Sequence, residues 1–181
     1  MKSSRTTVFA LAVLSVTATG TTLVQLPLDD IIQKSTTIVR GKASQTAPSS
    51  SGSIIYTHYS IQVSERWKGS TASTIDVVVP GGAFHGSRQT YAGAPVFDAG
   101  QDYVFFLWTS KSGLTQVIGL SQGLFSITFD PSGNPVANRS ATGEQMLYAS
   151  GRPVTDSPIS MPLPDLKARV ANVLANPKGV F

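Results

Sequence analysis

Hydrophobic and polar residues alternate most regularly between Tyr56 and Lys68. The apolar residues on the odd positions are Tyr59, Ile61, Val63 and Trp67. Because successive side chains of a strand point to opposite faces, this period of two predicts a long strand with one face in the core and one in water. Glu65 breaks the apolar face, which indicates a bulge or the end of a barrel. A strand of this length is expected to bend and to serve two parts of one sheet.

Shorter segments with strand-like patterns surround this one. They cover residues 37–43, 74–79, 103–108, 114–118 and 124–129, with a short strand expected around 88–91 and a weak strand or short helix near 144–148. Gly41 lies inside the first segment, where a missing side chain allows a sharp bend or the close approach of another backbone. The Ser-rich run from Thr46 to Ser53 predicts a flexible loop. Segment 103–108 is apolar on both faces, so we expect a helix to cover its outer side.

Two short helices are predicted, one on each side of the strands. The first spans Leu28 to Ser35, with acidic residues in its first turn and Lys34 in its last. The second spans Pro164 to Ala175 and carries one apolar stripe that can pack on the sheet. Antiparallel strands with helices only at the ends predict a mainly β fold. We expect a small closed OB-like (netrin-like) β-barrel, with a β-sandwich as the alternative.

The chain has 181 residues, enough for one ordinary domain with accessory segments. We expect a signal peptide at 1–20, a β-barrel domain at 21–137, a polar Gly/Ser-rich segment at 138–160 and the C-terminal helix within 161–181. Two basic residues, Lys2 and Arg5, precede the apolar run at 8–16, and small residues then fit cleavage near Ala18 or Gly20. That run is about half the ~20 residues that a membrane-spanning helix requires. The mature protein is therefore expected to be secreted or periplasmic, without a transmembrane segment.

Composition narrows the function classes. Charged residues make up 13% of the chain and the formal net charge is +4, which is typical of a globular rather than a disordered protein. The Lys and Arg residues are scattered singly, and this argues against a nucleic-acid partner. The chain has no cysteine, so its core must stabilise the fold without disulfides.

Several short segments resemble known proteins when taken in order. They are residues 36–43, 68–69, 77–82, 93–95, 100–107 and 119–123. This order resembles a family of uncharacterised secreted bacterial proteins over roughly residues 28–130. The strand order, with Lys68-Gly69 after the long strand, also resembles the netrin-like domain, the OB-type barrel of the tissue inhibitors of metalloproteinases. The resemblance implies a barrel and a protein-binding role. It does not imply inhibition, because that chemistry needs an N-terminal cysteine and disulfides.

Catalytic patterns are weak. Gly119 to Gly123 has the spelling of a nucleophile elbow around Ser121, but a strand pattern follows it and both histidines, His58 and His85, lie upstream. We interpret the segment as a glycine-flanked hairpin connection. His58 lies on the polar face of its strand and is expected to be solvated. Neither histidine has companions at metal-ligand spacing, and no cofactor motif is present. We therefore expect no catalytic residue, no metal and no cofactor.

The loop from Ala83 to Phe97 is the best candidate for function, because long loops in compact domains often carry it. The candidate ligand-binding residues are Phe84, His85, Arg88 and Tyr91. Aromatic and Arg side chains are preferred anchors of interfaces. The alternative is that Tyr91 and Phe97 plug one end of the barrel.

These observations predict a secreted non-enzymatic binding module that engages a protein or a surface glycan through loops at one barrel end. Two alternatives stay open. One is a secreted hydrolase whose site is assembled by folding from distant residues. The other is a protease-inhibitor-like partner of a secreted protease. Binding of single-stranded nucleic acid, which OB-type barrels often perform, is disfavoured by export and by the weak charge.

Overall fold

The computed structural model describes residues 22–69 and 71–177, which form a mainly β structure with two α-helices. The strands are β1 (Thr22–Val24), β2 (Thr37–Ser51), β3 (Ile54–Lys68), β4 (Thr74–Pro80), β5 (Gly82–Phe84), β6 (Ser87–Gln89), β7 (Asp102–Thr109), β8 (Thr115–Val117), β9 (Leu124–Phe129), β10 (Pro135–Arg139), β11 (Gln145–Leu147), β12 (Pro153–Val154) and β13 (Ile159–Pro162). The helices are α1 (Leu28–Lys34) and α2 (Leu163–Ala175), and a 3-10 helix spans Leu120–Gly123. Both predicted helices are confirmed. The predicted signal peptide at 1–20 lies outside the described residues.

The main sheet has the strand order β13-β10-β9-β7-β2-β3-β4, with β8 also paired to β7. All of these pairs are antiparallel. Within the described residues, β4 and β13 are the two ends of this path and do not pair with each other, so the sheet is not closed into a barrel. The short strand β8 lies against β4 but pairs with β7. The mainly β prediction is confirmed, while the strand pairing fits the predicted sandwich alternative as well as the barrel.

The long strand predicted at 56–68 is confirmed as β3, and its hairpin partner β2 is longer than predicted. The expected loop at 46–53 is wrong for most of its length, because pairing resumes from Pro48 opposite Thr57 to Ser51 opposite Ile54. Backbone pairing does not require apolar side chains, so the Ser-rich segment forms a strand without the alternation of hydrophobic and polar residues that predicts one. Strand β2 pairs with β7 only over 37–42, and proline is tolerated where a strand lacks a second partner.

Two apolar clusters lie on opposite faces of β7. The interior cluster contains Val39, Ala43, Ile61, Val77, Tyr103, Phe105, Leu107 and Val117. The helix-covered cluster contains residues of α1 and α2 together with Ile38, Val104, Phe106, Phe125 and Ile127. Alternate residues of β7 therefore enter different clusters. The prediction that a helix covers the outer side of this strand is confirmed, and both helices do so.

A bulge in β3 explains the break in its alternation. Arg40 lies opposite Glu65 and Gly41 lies opposite Val63, so this register leaves Ser64 without an opposite residue. An extra residue bends a strand and reverses the direction of the side chains beyond it. Val63 accordingly packs against the interior cluster, whereas Trp67 packs against the helix-covered cluster. The bulge predicted at Glu65 is confirmed, but Trp67 does not share the interior face.

The segment at 138–160 is pinned by a buried ion pair. The Arg139 and Asp156 side chains are 8% and 1% exposed, and Arg139 Nη2 lies 2.8 Å from Asp156 Oδ1. Arg139 Nη2 also donates to the Ser157 carbonyl oxygen at 2.7 Å, and the Thr142 N–H donates to Asp156 Oδ2 at 2.9 Å.

In the part of the chain that the structure describes, neither helix has the length and hydropathy needed to cross a bilayer.

Candidate functional site

A short β-hairpin follows β4 and forms one side of the candidate site. Gly81 and Gly82, with φ angles of 105° and 126°, turn the chain from β4 into β5. His85 and Gly86 form the two-residue connection to β6 and both have positive φ, which suits a tight hairpin turn. The Phe84 and His85 rings meet edge to face at this tip, with centroids 4.1 Å apart.

Polar contacts fix the hairpin onto β3. The Gln89 side chain accepts the Ile55 N–H at 2.7 Å and donates to the Ser53 carbonyl oxygen at 2.6 Å. The buried Thr57 hydroxyl donates to the Gly81 carbonyl oxygen at 2.8 Å. A Cβ on Gly82 would collide with that same hydroxyl, so this position has no room for a side chain while the hydrogen bond is in place. The hairpin is therefore held before any ligand binds.

The other side of the site is the loop at 90–98, which is anchored by Phe97. The Phe97 ring packs edge to face on Tyr59 at 4.6 Å and on Phe105 at 5.5 Å. Beside it, the Tyr103 hydroxyl accepts the Asp98 N–H at 2.8 Å. Phe97 thus packs against the interior cluster, as the plug alternative predicts, whereas Tyr91 remains 38% exposed. The two residues have different roles.

A groove of about 470 Å³ lies between the hairpin and this loop. Arg88 and Tyr91 line it, together with Gln45, Tyr59 and Val96. Arg88 is exposed and makes no hydrogen bond or ion pair with any described residue. Burial raises the pKa of Tyr59, so its hydroxyl stays protonated and can donate a hydrogen bond. Of the four predicted binding residues, the structure brings Arg88 and Tyr91 together here, while Phe84 and His85 lie at the hairpin tip.

The lining of the groove offers hydrogen-bonding, aromatic and cationic side chains. Its lining consists of one arginine, two tyrosines, amides, hydroxyls and small apolar residues, without a histidine or a carboxylate among the described residues that line it. In the same described ranges, no three His, Asp or Glu side chains are grouped so as to hold a metal ion. Such a surface can stack, donate and accept hydrogen bonds, and pair with one anionic group.

The Gly119 to Gly123 segment has a structural role that the sequence did not show. Strands β8 and β9 pair antiparallel with successive parts of β7 and do not pair with each other. The segment between them therefore joins two strands that run in the same direction, and it is not a hairpin connection. Strand β9 follows it directly, in place of the helix that a nucleophile elbow needs. The buried Gln122 side chain accepts the Leu26 N–H at 2.8 Å and donates to the Val24 carbonyl oxygen at 3.0 Å. It thereby holds the segment that precedes α1.

Sequence reasoning missed the groove residues outside the loop. Gln45 and Tyr59 belong to β2 and β3, and an amide such as Gln45 has no sequence pattern that marks it as a groove residue. Their grouping depends on the register of the long hairpin, which no local spacing reveals.

Comparison of the chain with family models, curated proteins and solved structures found no match.

Proposed function

We propose that the mature protein is a secreted binding module that engages a protein or a cell-surface ligand through the groove. The observation that carries this proposal is a combination of fixed walls and free side chains. Gln89, Thr57 and Phe97 hold the walls, while Arg88 and Tyr91 are exposed within the groove. A site that is ordered before binding loses little conformational entropy when the ligand enters, and this favours affinity.

The barrel is part of the same proposal. Strands β2, β3, β4, β7 and β8 surround the interior cluster, and β8 lies against β4. We infer an OB-like ring that is completed at β4 and β8 by side-chain packing rather than by strand pairing. The groove then lies at one end of this ring, where Tyr59 and Val79 form part of its lining.

The lining favours a ligand that is neutral or carries one anionic group. Arg88 supplies a charged donor, and Tyr91 supplies an aromatic face that can stack on a sugar ring or on an apolar side chain. No acidic side chain of the described lining would repel an anionic group. With a single cation on the groove, binding should depend only weakly on salt, unlike nucleic-acid binding through many phosphate contacts.

The proposal is tested by retention on the immobilised mature protein. The probes are the proteins of culture supernatant and envelope extract, together with an array of defined oligosaccharides. The double variant Arg88→Ala/Tyr91→Ala removes the groove anchors. The matched control Tyr148→Ala/Arg152→Ala removes an exposed pair of the same residue types, whose cation lies 5.9 Å from the ring centroid, outside the groove.

We expect wild type and control to retain the same component, and the groove variant to lose at least about tenfold of it, which corresponds to ~1.4 kcal/mol. Equal retention by all three proteins would place recognition elsewhere. Loss in the control alone would do the same.

A further inference from the structure

Ser49, His58 and Asp76 form a linear hydrogen-bonded array across three neighbouring strands. Ser49 Oγ lies 2.7 Å from His58 Nε2, and His58 Nδ1 lies 2.8 Å from Asp76 Oδ2. The His58 side chain is 26% exposed and that of Asp76 is 60% exposed. His58 lies on the polar face of its strand, as predicted, but it is only partly solvated, because both ring nitrogens have protein partners.

The pairing of β2, β3 and β4 brings the three residues together. Ser49 lies opposite Tyr56 and diagonally from His58, and Asp76 lies opposite Ser60 and diagonally from His58 on the other side. Their chain neighbours Pro48 and Thr57 line the groove. Because adjacent strand residues point to opposite faces, the array lies on the face of the sheet away from the groove. It is therefore a separate feature from the proposed binding site.

The two hydrogen bonds agree on one tautomer of the histidine. With its proton on Nδ1, His58 donates to the Asp76 carboxylate and presents the lone pair of Nε2 to the Ser49 hydroxyl. This is the arrangement of a nucleophile, a general base and an orienting carboxylate. The carboxylate both holds the ring in place and stabilises the imidazolium that forms when the base takes a proton.

We propose that Ser49 is the nucleophile of an acyl-transfer site that acts on activated carboxylic esters, with His58 as its general base and Asp76 as a positioning residue. This inference goes beyond the binding function of the groove and does not rest on it. It gives the hydrolase alternative specific residues, none of which lies in the candidate loop from Ala83 to Phe97. Polar contacts of this kind also occur between strands as purely structural interactions, so the chemical reactivity of the Ser49 hydroxyl distinguishes a catalytic role from a structural one.

The reaction needs no cofactor and no oxidant. Ser49 Oγ bonds to the ester carbonyl carbon while its proton passes to His58 Nε2. The bond from that carbon to the alcohol oxygen then breaks, and the alcohol leaves with the proton from Nε2. Water next attacks the acyl-serine, His58 takes one water proton and returns it to Ser49 Oγ as the carbon–Oγ bond breaks, and the carboxylic acid is released.

The first test is covalent modification of the folded mature protein by a fluorophosphonate probe, with the modified residue located by peptide mass spectrometry. Ser44 is the internal control, because it is an exposed serine of the same strand whose hydroxyl, among the residues that the structure describes, hydrogen-bonds only the Ser60 carbonyl oxygen, at 3.4 Å. The variants are Ser49→Ala, His58→Gln and Asp76→Asn. Thermal unfolding of each variant gives its folded fraction.

We expect the adduct on Ser49 and not on Ser44. At equal folded fraction, His58→Gln should slow modification by about 100-fold or more and Asp76→Asn by about tenfold. With a p-nitrophenyl ester, Asp76→Asn should lower kcat and leave KM unchanged, which a purely structural role would not do. Absence of an adduct on Ser49, or equal rates in wild type and His58→Gln, would overturn the proposal and leave a polar cross-strand contact.

Discussion

Gly41 faces the carbonyl oxygen of Gln62 so closely that a Cβ on Gly41 would collide with it. The contact lies where the register of β2 and β3 shifts, next to the bulge at Ser64. The collision is with backbone, which cannot rotate away as a side chain would. The close approach of another backbone predicted for Gly41 from the sequence is therefore confirmed.

Replacement of Gly41 by alanine should reduce the free energy of unfolding by about 1 to 3 kcal/mol, because the strands must separate at the bulge. Chemical denaturation measures this change. Gly143→Ala is the matched control, since a Cβ there meets nothing within 4 Å and its φ is not in the left-handed region. The control should stay within about 0.5 kcal/mol of the wild type. Equal effects of the two substitutions would contradict the close approach.

Ionisation of the Glu65 carboxylate should make the free energy of unfolding depend on pH in the acid range. The hydrogen bond from Lys167 Nζ, at 2.9 Å, lowers the pKa of Glu65 to about 2, and further donors on Trp67 and Arg40 outweigh the opposing effect of burial. Because the folded-state pKa lies below the ordinary value of 4.5, this contribution to stability is complete above pH 4.5 and is lost as the pH falls towards 2.

The variant Glu65→Gln should therefore be less stable than the wild type by about 1 kcal/mol at pH 7, a value limited by the exposure of the pair. The difference should shrink steadily between pH 4.5 and pH 2. Urea unfolding of both proteins at pH 7, 5, 4 and 3 checks this. A difference that stays constant over that range would show that the carboxylate is not the cause.

The buried pair of Arg139 and Asp156 should matter more than any surface pair. Burial alone would raise the pKa of Asp156, but hydrogen bonds from Arg139 and from the Thr142 N–H lower it below its ordinary value. The substitution Asp156→Asn leaves the Arg139 charge buried without its counterion. We expect a loss of about 3 to 5 kcal/mol in the free energy of unfolding at pH 7.

The control for this substitution is Asp30→Asn, which breaks the exposed pair of Asp30 with Lys34 at 3.6 Å. That change should cost about 0.5 kcal/mol or less. Calorimetric or denaturant unfolding compares the two variants. A loss at Asp156 no larger than that at Asp30 would mean that the ion pair does not hold the 138–160 segment.

Substitutions of Phe97 and Tyr91 should differ in their effects on the free energy of unfolding and on ligand binding. Phe97→Ala removes the ring packed between Tyr59 and Phe105 and should lower the free energy of unfolding by about 2 to 4 kcal/mol. Tyr91→Ala removes a partly exposed ring and should cost about 1 kcal/mol or less, yet reduce ligand retention. Denaturation together with the retention assay tests both. A larger loss of stability at Tyr91 would revive the plug alternative for that residue.

The elements with a clear hydrophobic period were predictable from the sequence. Alternation in β3, β4 and β9 and the apolar stripe of α2 follow from burial of one face, so the pattern and the structure agree. The double-sided apolar pattern of β7 likewise indicated its helical cover. The second half of β2 was not predictable, because its side chains are mostly polar and exposed, so hydrophobic and polar residues do not alternate there.

The candidate site was predictable only where it depends on one local segment. Arg88 and Tyr91 could be found because aromatic and basic residues stood together in a long loop. The array of Ser49 and His58 could not, because residues 46 and 47 are bulged out of the β2 register and shift which side chains meet. A one-residue change of register would move Ser49 to the opposite face and away from the histidine.

Recognition through the groove is tested most directly by a photo-crosslinking amino acid placed at Val96. That side chain is 76% exposed and lines the groove, whereas Phe129 is 68% exposed and lies outside it. Protein carrying the probe at either position is mixed with envelope extract, irradiated and analysed by mass spectrometry. We expect one crosslinked species from position 96, absent from position 129 and abolished by Arg88→Ala/Tyr91→Ala. The same species from both positions, or from the double variant, would contradict recognition at the groove.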